Sequence, residues 1–315
     1  MGILFGLTTA LLWGAGDFLA RYVTHALGSY RTLFFIQFIG LVSLGIYLLG
    51  TGELQQVAGA NSWQPWLWAA LAALLNIGSS FALYRAFEVG SLTLVSPIAA
   101  SYAAVTIALS LLSGEVLTPL HDGGIGLVLL GIVIASTTFT PVRVSDASES
   151  HKEIEMPTRS SRTKTIANNL LSVLRKDAMK GVGWAMVASL GYGTTFWILG
   201  FHVTPTLGSI IPVWLIRTLT PCVLVVCAPL ARQSLTLPRG SVWWFIVGVS
   251  VFDTIAYITY TLGLTQGQIS LVTLLSSLYS AVTVLLAWIF LRERLLRSQW
   301  FGIGIIFVGI ALVNI

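Results

Sequence analysis

Three ionisable side chains stand inside long apolar runs: Arg217 in VWLIRTLTP, Asp253 in SVFDTIAY and Asp17 in WGAGDFLARY. A charge at the centre of a lipid bilayer costs about 2.5 to 3.5 kcal/mol on insertion scales, so each marks a functional position by default. The planar fork of Arg217 suits a carboxylate or a phosphate. Asp253 suits a proton or an amine. The alternative for both is structural, since two such groups on adjacent helices can neutralise each other. Asp17 has Arg21 one helical turn along, and an i,i+4 ion pair near a membrane surface is the plain alternative to a binding role.

Aromatic residues offer a second kind of contact. Trp13, Tyr102, Tyr192, Trp197, Trp214, Tyr257 and Tyr279 fall within apolar runs. Trp63, Trp66, Trp68, Trp243, Trp244 and Trp300 sit at the starts of runs, where an interfacial belt accounts for them. Buried tyrosine hydroxyls need partners, and ring faces can hold a flat or cationic ligand; helix packing is the competing account. Pro97 invites a bend in its helix, either a gating element or a static one. Arg85 and Glu88 close an apolar run, where snorkelling explains them. His25, His121 and His202 also lie at run ends.

No two His, Cys or acidic residues have metal-ligand spacing on one helix, and no phosphate loop, nucleotide fingerprint or hydrolase triad is present. No metal or cofactor is expected. Cys222 and Cys227 share one apolar segment, where a single helix cannot bring them into disulfide geometry, so they read as packing residues.

The elements that must position these residues come as two copies. LVSPIAASYAAVTI (94–107) is written again as LVTLLSSLYSAVTV (271–284), with six of fourteen positions identical at a shift of 177. The same shift pairs Gly90 with Gly267 and Asn76 with Asp253. After one extra residue Glu115 pairs with Glu293, and GIGLVLLGIVI (124–134) with GIGIIFVGIAL (302–312). At the start of each half Gly6, Gly14 and Gly16 recur as Gly183, Gly191 and Gly193, small residues that let helix backbones approach.

Apolar residues make up 56% of the chain and charged residues only 9%, with a mean hydropathy of +0.86; ordinary domains carry about 25% charged residues. Segments of about twenty apolar residues can span the hydrocarbon core. Ten are expected, approximately 3–22, 32–50, 66–85, 92–113, 122–138, 181–200, 209–229, 243–262, 269–291 and 299–315. The start, MGILFGL, has no basic region or small-residue cleavage site and reads as a retained helix. Residues 1–140 form the first unit and 181–315 the second. Between them 141–180 is polar, with a short amphipathic stretch at 166–176 that suits the membrane surface.

A unit of five spans is odd, so its second copy must be inverted. With alternating segments, sixteen of the seventeen Lys and Arg residues fall on one side, the exception being Arg217. By the positive-inside tendency the linker is cytoplasmic and both termini face out. The formal net charge of +5 then reflects orientation and gives no reason to expect nucleic acid. Inversion also brings equivalent residues to similar depth on opposite walls. Asn76 matches Asp253, and Gln37 matches Arg217 at a shift of 180, so these four are expected to form one polar belt near the midplane, with amides from the first copy and charges from the second.

The segments ALYRAFEVGSLTLVSPIAASYAAVTIALSLLSGEVLTPLHDGGIGLVLLGIVI and YTLGLTQGQISLVTLLSSLYSAVTVLLAWIFLRERLLRSQWFGIGIIFVGIAL, with the opening ALLWGAGDFLARY, resemble the EamA repeat of the drug/metabolite transporter superfamily. The resemblance covers nearly the whole chain outside the linker. It implies an all-α membrane protein of ten transmembrane helices in two inverted five-helix repeats. The non-terminal helices of each half would line a central cavity, with the fifth and tenth outside as supports. It names no substrate, because members move amino acids, sugars, nucleotide derivatives and amines. Two departures stand out: the linker is long, and Pro97 has no counterpart at Leu274, which would make the two halves mechanically unequal.

The expected function is secondary transport of a small polar or zwitterionic metabolite across the cytoplasmic membrane, by alternating access. A proton acting through Asp253 is the first candidate coupling ion, with uncoupled facilitation or exchange as the alternative. A membrane scaffold or receptor would explain the helices but not the belt. The letters GAGD (14–17) match the GxGD signature of intramembrane aspartyl proteases, with Asp253 as the second carboxylate. That reading puts the signature in the first helix and reverses the family's motif order.

Overall fold

The computed structural model describes residues 1–52, 63–90, 92–136, 181–291, 301–302, 304–306, 308–309 and 312. The linker, the surface stretch at 166–176, Glu293 and the basic residues 292, 294 and 297 lie outside them. All regular structure among the described residues is helical. The first copy comprises α1 (Gly2–Leu27), α2 (Ser29–Thr51), α3 (Gln64–Val89), α4 (Leu92–Ala100), α5 (Tyr102–Leu112) and α6 (Pro119–Ser136). The second comprises α7 (Gly181–Leu207, with a π-helical turn at Leu199–Val203), α8 (Ile210–Cys227), α9 (Val242–Gln266), α10 (Ile269–Ser277) and α11 (Tyr279–Leu291), followed by helical residues within 301–312.

Eight helices among the described residues are long and apolar enough to cross a membrane, which is two fewer than the sequence reading of ten. The missing two are the fifth and tenth segments. The fifth is helical over Pro119–Ser136 and opens on the polar run PLHD; the tenth is described in part. The protein is an integral membrane protein of helical hairpins. Its tightest turns recur between copies: Gly28 (φ 79°) joins α1 to α2, and its repeat mate Gly208 (φ 72°) joins α7 to α8. Left-handed backbone of that kind is nearly free for glycine alone.

Each copy lends its first helix to the other. α1 packs chiefly on α9, α10 and α11, and the two close approaches mirror each other. A Cβ on Gly14 would lie 2.9 Å from the carbonyl oxygen of Tyr279, and one on Gly193 would lie 2.9 Å from that of Tyr102. Thr283 Oγ1 then donates to the Gly14 carbonyl at 3.3 Å, and Thr106 Oγ1 to that of Gly193 at 2.9 Å. In a lipid environment such contact between backbones drives helix association, since hydrocarbon side chains gain little by leaving lipid. These contacts correct the register of the first helices. Gly14 is the counterpart of Gly193, not of Gly191, a shift of two residues that the glycine spacing alone concealed. Gly191 instead faces Ser79.

The fourth segment is broken between α4 and α5 at Ser101, and the ninth between α10 and α11 at Leu278. At both breaks the backbone N–H bonds three residues back, Ser101 to Ile98 at 3.2 Å and Leu278 to Leu275 at 3.2 Å. Pro97 lies inside α4, before the break. Since the second copy breaks at the equivalent place with leucine opposite Pro97, the proline is not the cause of the bend, and at this point the halves are alike. Gly131 of α6 faces Ile306, and Gly309 faces Val128, so the last segment of each copy packs on the other's, away from the centre.

Candidate functional site

A cavity of about 40 Å³ lies at the junction of the copies. Six segments line it: Trp13 and Asp17 from α1, Ser80, Leu83 and Tyr84 from α3, Tyr102 from α5, Tyr192 and Phe196 from α7, Asp253 and Tyr257 from α9, and Tyr279 from α11. Among the described residues no α6 side chain lines it. The volume admits a few water molecules and is far below the several hundred Å³ of a metabolite-sized pocket.

The rings meet across the junction. Tyr102 and Tyr279, each the first residue after its helix break, stack with centroids 6.2 Å apart and planes at 11°. The breaks thus turn the two repeat mates toward one another. Trp13 sits at the hub, with its ring 5.5 Å from Phe196 and 5.2 Å from Tyr257. Three of the hydroxyls have partners, as burial favours: Tyr102 shares a hydrogen bond of 2.8 Å with Ser276, Tyr192 one of 2.9 Å with Ser80, and Tyr279 donates to the Ser96 carbonyl at 3.4 Å.

The polar residues fall into two groups. Arg217 is fully buried in α8, behind the cavity wall. Its Nη1 pairs with Asp253 Oδ2 at 2.9 Å and donates to Gln37 Oε1, and its guanidinium carbon lies 5.0 Å over the Tyr257 ring. Asp253 also accepts from Trp13 Nε1 at 3.2 Å. On the facing side Asn76 Nδ2 donates to the Tyr257 hydroxyl, and Ser80 donates to Asn76 Oδ1 at 3.3 Å. The four belt residues are therefore joined through Tyr257. Gln37 and Asn76 are buried and lie in the second layer, so α2 and α8 support the wall without forming it.

Asp17 differs from Asp253. Among the described residues its carboxylate has no ion pair or hydrogen bond, and no pair with Arg21 is present; it lines the cavity. The two carboxylates named by the protease alternative do share this cavity. Asp253, however, is committed to a guanidinium, unlike two carboxylates that share one proton.

Two of the aromatic candidates lie elsewhere. Trp197 donates to Ser113 Oγ at 2.8 Å and meets His202 edge-on at 5.2 Å, at the end of α7 where His202 stacks on Trp68. Trp214 packs in the core beside Gly45, outside the cavity. Helix position decides this, since both residues sit on faces turned from the junction. The site residues that sequence reasoning passed over are Ser80, Leu83, Tyr84 and Phe196. A signal existed for Ser80, which is the mate of Tyr257 at the shift of 177. Phe196 becomes the mate of Asp17 only once the register of the first helices is corrected.

A family model described as the EamA-like transporter family matches residues 1–137 and 179–315. An uncharacterized protein of Methanocaldococcus jannaschii, MJ1333.1, is 28% identical over 135 residues, which are 42% of this chain and 95% of that protein. That relative is thus about one repeat long. A crystal structure described only as that of a protein superposes with a TM-score of 0.67 at 18% identity, covering 99% of this chain and 96% of the other. At that identity the likeness concerns the fold alone.

Proposed function

The chain belongs to the EamA-like transporter family, and from that premise we propose that it is a secondary transporter carrying a small polar or zwitterionic metabolite by alternating access. Membership places it among membrane transporters at the level of the family. The observation that carries the finer reading is the central cavity, walled by side chains from both copies. Each copy contributes its first helix to the other through matched contacts at Gly14 and Gly193. Rocking one copy against the other would open such a cavity first to one side and then to the other. Its small volume fits a conformation from which the walls must part to admit a substrate.

The proposal keeps ten spans, counting α6 and the last segment, and keeps a proton as the first candidate coupling ion. Uncoupled exchange is the alternative. It is tested with purified protein in vesicles, preloaded in turn with amino acids, amines, sugars, nucleosides and organic acids. Saturable counterflow of one class is expected. A ligand held at a hundred times its dissociation constant should also stabilise the folded protein by about 2.7 kcal/mol. Neither counterflow nor stabilisation across all classes would favour a scaffold or receptor.

The proposed location is the cytoplasmic membrane of a bacterium, with residues 141–180 in the cytoplasm, supported by the one-sided distribution of Lys and Arg. A cysteine at Ser160, in a chain whose Cys222 and Cys227 are replaced by serine, should resist an impermeant maleimide in intact cells and react after permeabilisation. Efficient labelling of intact cells would reverse the orientation.

A further inference from the structure

We infer that the cavity recognises a compact organic ammonium group, with Asp17 as its counter-ion and the surrounding rings as its cage; the inference rests on the transporter reading and specifies its substrate class. Three observations carry it.

The first is charge. Only two ionisable carboxyl groups line the cavity among the described residues, Asp17 and Asp253. Arg217 pairs with Asp253 at 2.9 Å, whereas Asp17 has no cationic partner among the described residues. A guest ammonium would supply that partner and hold Asp17 as a carboxylate, an attraction that a neutral or anionic guest cannot offer in a low-dielectric interior.

The second is access. Arg217, the residue best suited to a carboxylate or phosphate, is fully buried, absent from the lining, and held by Asp253 and Gln37. A Cβ on Gly40 would stand 2.9 Å from its Cδ, so the neighbouring helix closes over its stem. The Nε and Nη2 of Arg217 have no partner among the described residues but are buried, so an anion would have to part the packed wall to reach them. The anion-binding role expected for Arg217 from its chemistry is thus assigned by the fold to an internal partner.

The third is the wall. Trp13, Tyr84, Tyr102, Tyr192 and Tyr279 line the same cavity as Asp17, and ring faces attract an ammonium most strongly where water is excluded. The tyrosine hydroxyls of Tyr102, Tyr192 and Tyr279 are committed to serine or backbone partners. These three rings therefore line the cavity without a free hydroxyl, and the Tyr84 hydroxyl alone, with no partner among the described residues, can accept from a guest N–H, which suits an alkylammonium better than a sugar.

The test uses full-length protein in detergent and matched probes on two skeletons: ethylamine, ethanol and propionate, then 2-phenylethylamine, 2-phenylethanol and 3-phenylpropionate. Binding is read by calorimetry and thermal shift. On at least one skeleton the amine should bind, and the alcohol and carboxylate about ten-fold or more weakly. Asp17→Asn should weaken the amine by about 30-fold or more, as loss of a desolvated counter-ion implies, while Asp17→Glu should retain part of the affinity. Asp17→Asn is checked for an unchanged unfolding temperature. Should that variant misfold, Asp17→Glu with Tyr102→Phe as control supplies the comparison, because the phenylalanine keeps the ring and should leave amine affinity within about three-fold. Preference for the carboxylate or alcohol, no binding by either amine, or amine binding that ignores Asp17 overturns the inference. The transporter reading fails separately: an amine that binds through Asp17 but shows no counterflow in vesicles would leave the site standing and remove the transport.

Discussion

Replacing Asp253 by alanine is expected to destabilise the protein by about 3 to 5 kcal/mol, the cost of leaving a buried charge without its partner. Among the described residues Arg217 would keep only Gln37 and the Tyr257 ring face, and its Nε and Nη2 have no partner there even now. The repeat suggests a rescue. The equivalent positions in the first copy are the amides Gln37 and Asn76, so the double variant Arg217→Gln/Asp253→Asn places in the second copy the same two neutral amides that the first already buries. It should recover most of the lost stability, because no charge then remains to be desolvated. Unfolding of the purified protein, followed for the single and double variants, checks both. Equal loss in Asp253→Ala and in the double variant would mean that the two residues are not coupled. If the double variant folds yet transports nothing, the charges serve function as well as structure.

The second large effect is expected at Trp13. Its ring lies within 5.2 to 6.4 Å of the rings of Tyr102, Phe196, Tyr257, Tyr260 and Tyr279, and these come from both copies. Trp13→Ala would remove the packing atoms at the point where α1 of the first copy enters the second. The expected cost is about 3 to 5 kcal/mol, as for other large aromatic truncations. Contact energy is the term lost, and it persists in a membrane protein where the transfer term is weaker. Trp13→Phe separates the roles: most of the ring packing is retained, and the indole hydrogen bond to Asp253 is lost. The phenylalanine variant should unfold within a few degrees of the parent, and the alanine variant far lower. Similar behaviour of the two would shift the weight from packing to the hydrogen bond.

Such effects follow from contacts between copies, and that is where the sequence reading reached its limit. The helices, the duplication and the matches in the later segments were legible because they depend on local composition and on self-comparison, whereas the first helices were matched two residues out of register. Asn76 and Asp253 could be paired by counting. That Gln37 would bond Arg217 directly was not legible, since the shift placed them as equivalents and said nothing of contact. Pro97 illustrates the converse. Its chemistry argues for a bend, yet the bend recurs at Leu278 without a proline, because the break arises where two segments turn Tyr102 and Tyr279 toward one junction.

By itself the sequence determined a membrane-embedded helical protein, two copies of one unit, and a short roster of polar residues that hydrocarbon would otherwise exclude. It did so because insertion into lipid constrains each segment separately. Only the tertiary structure decided which of those residues faces the centre. Arg217 and Asp17 look alike as charges in apolar runs, and the docking of the copies makes one an internal partner and the other a cavity wall. Rotation of a helix about its axis and its register against a distant neighbour are settled by packing across the pseudo-twofold junction, and no local pattern along the chain encodes them.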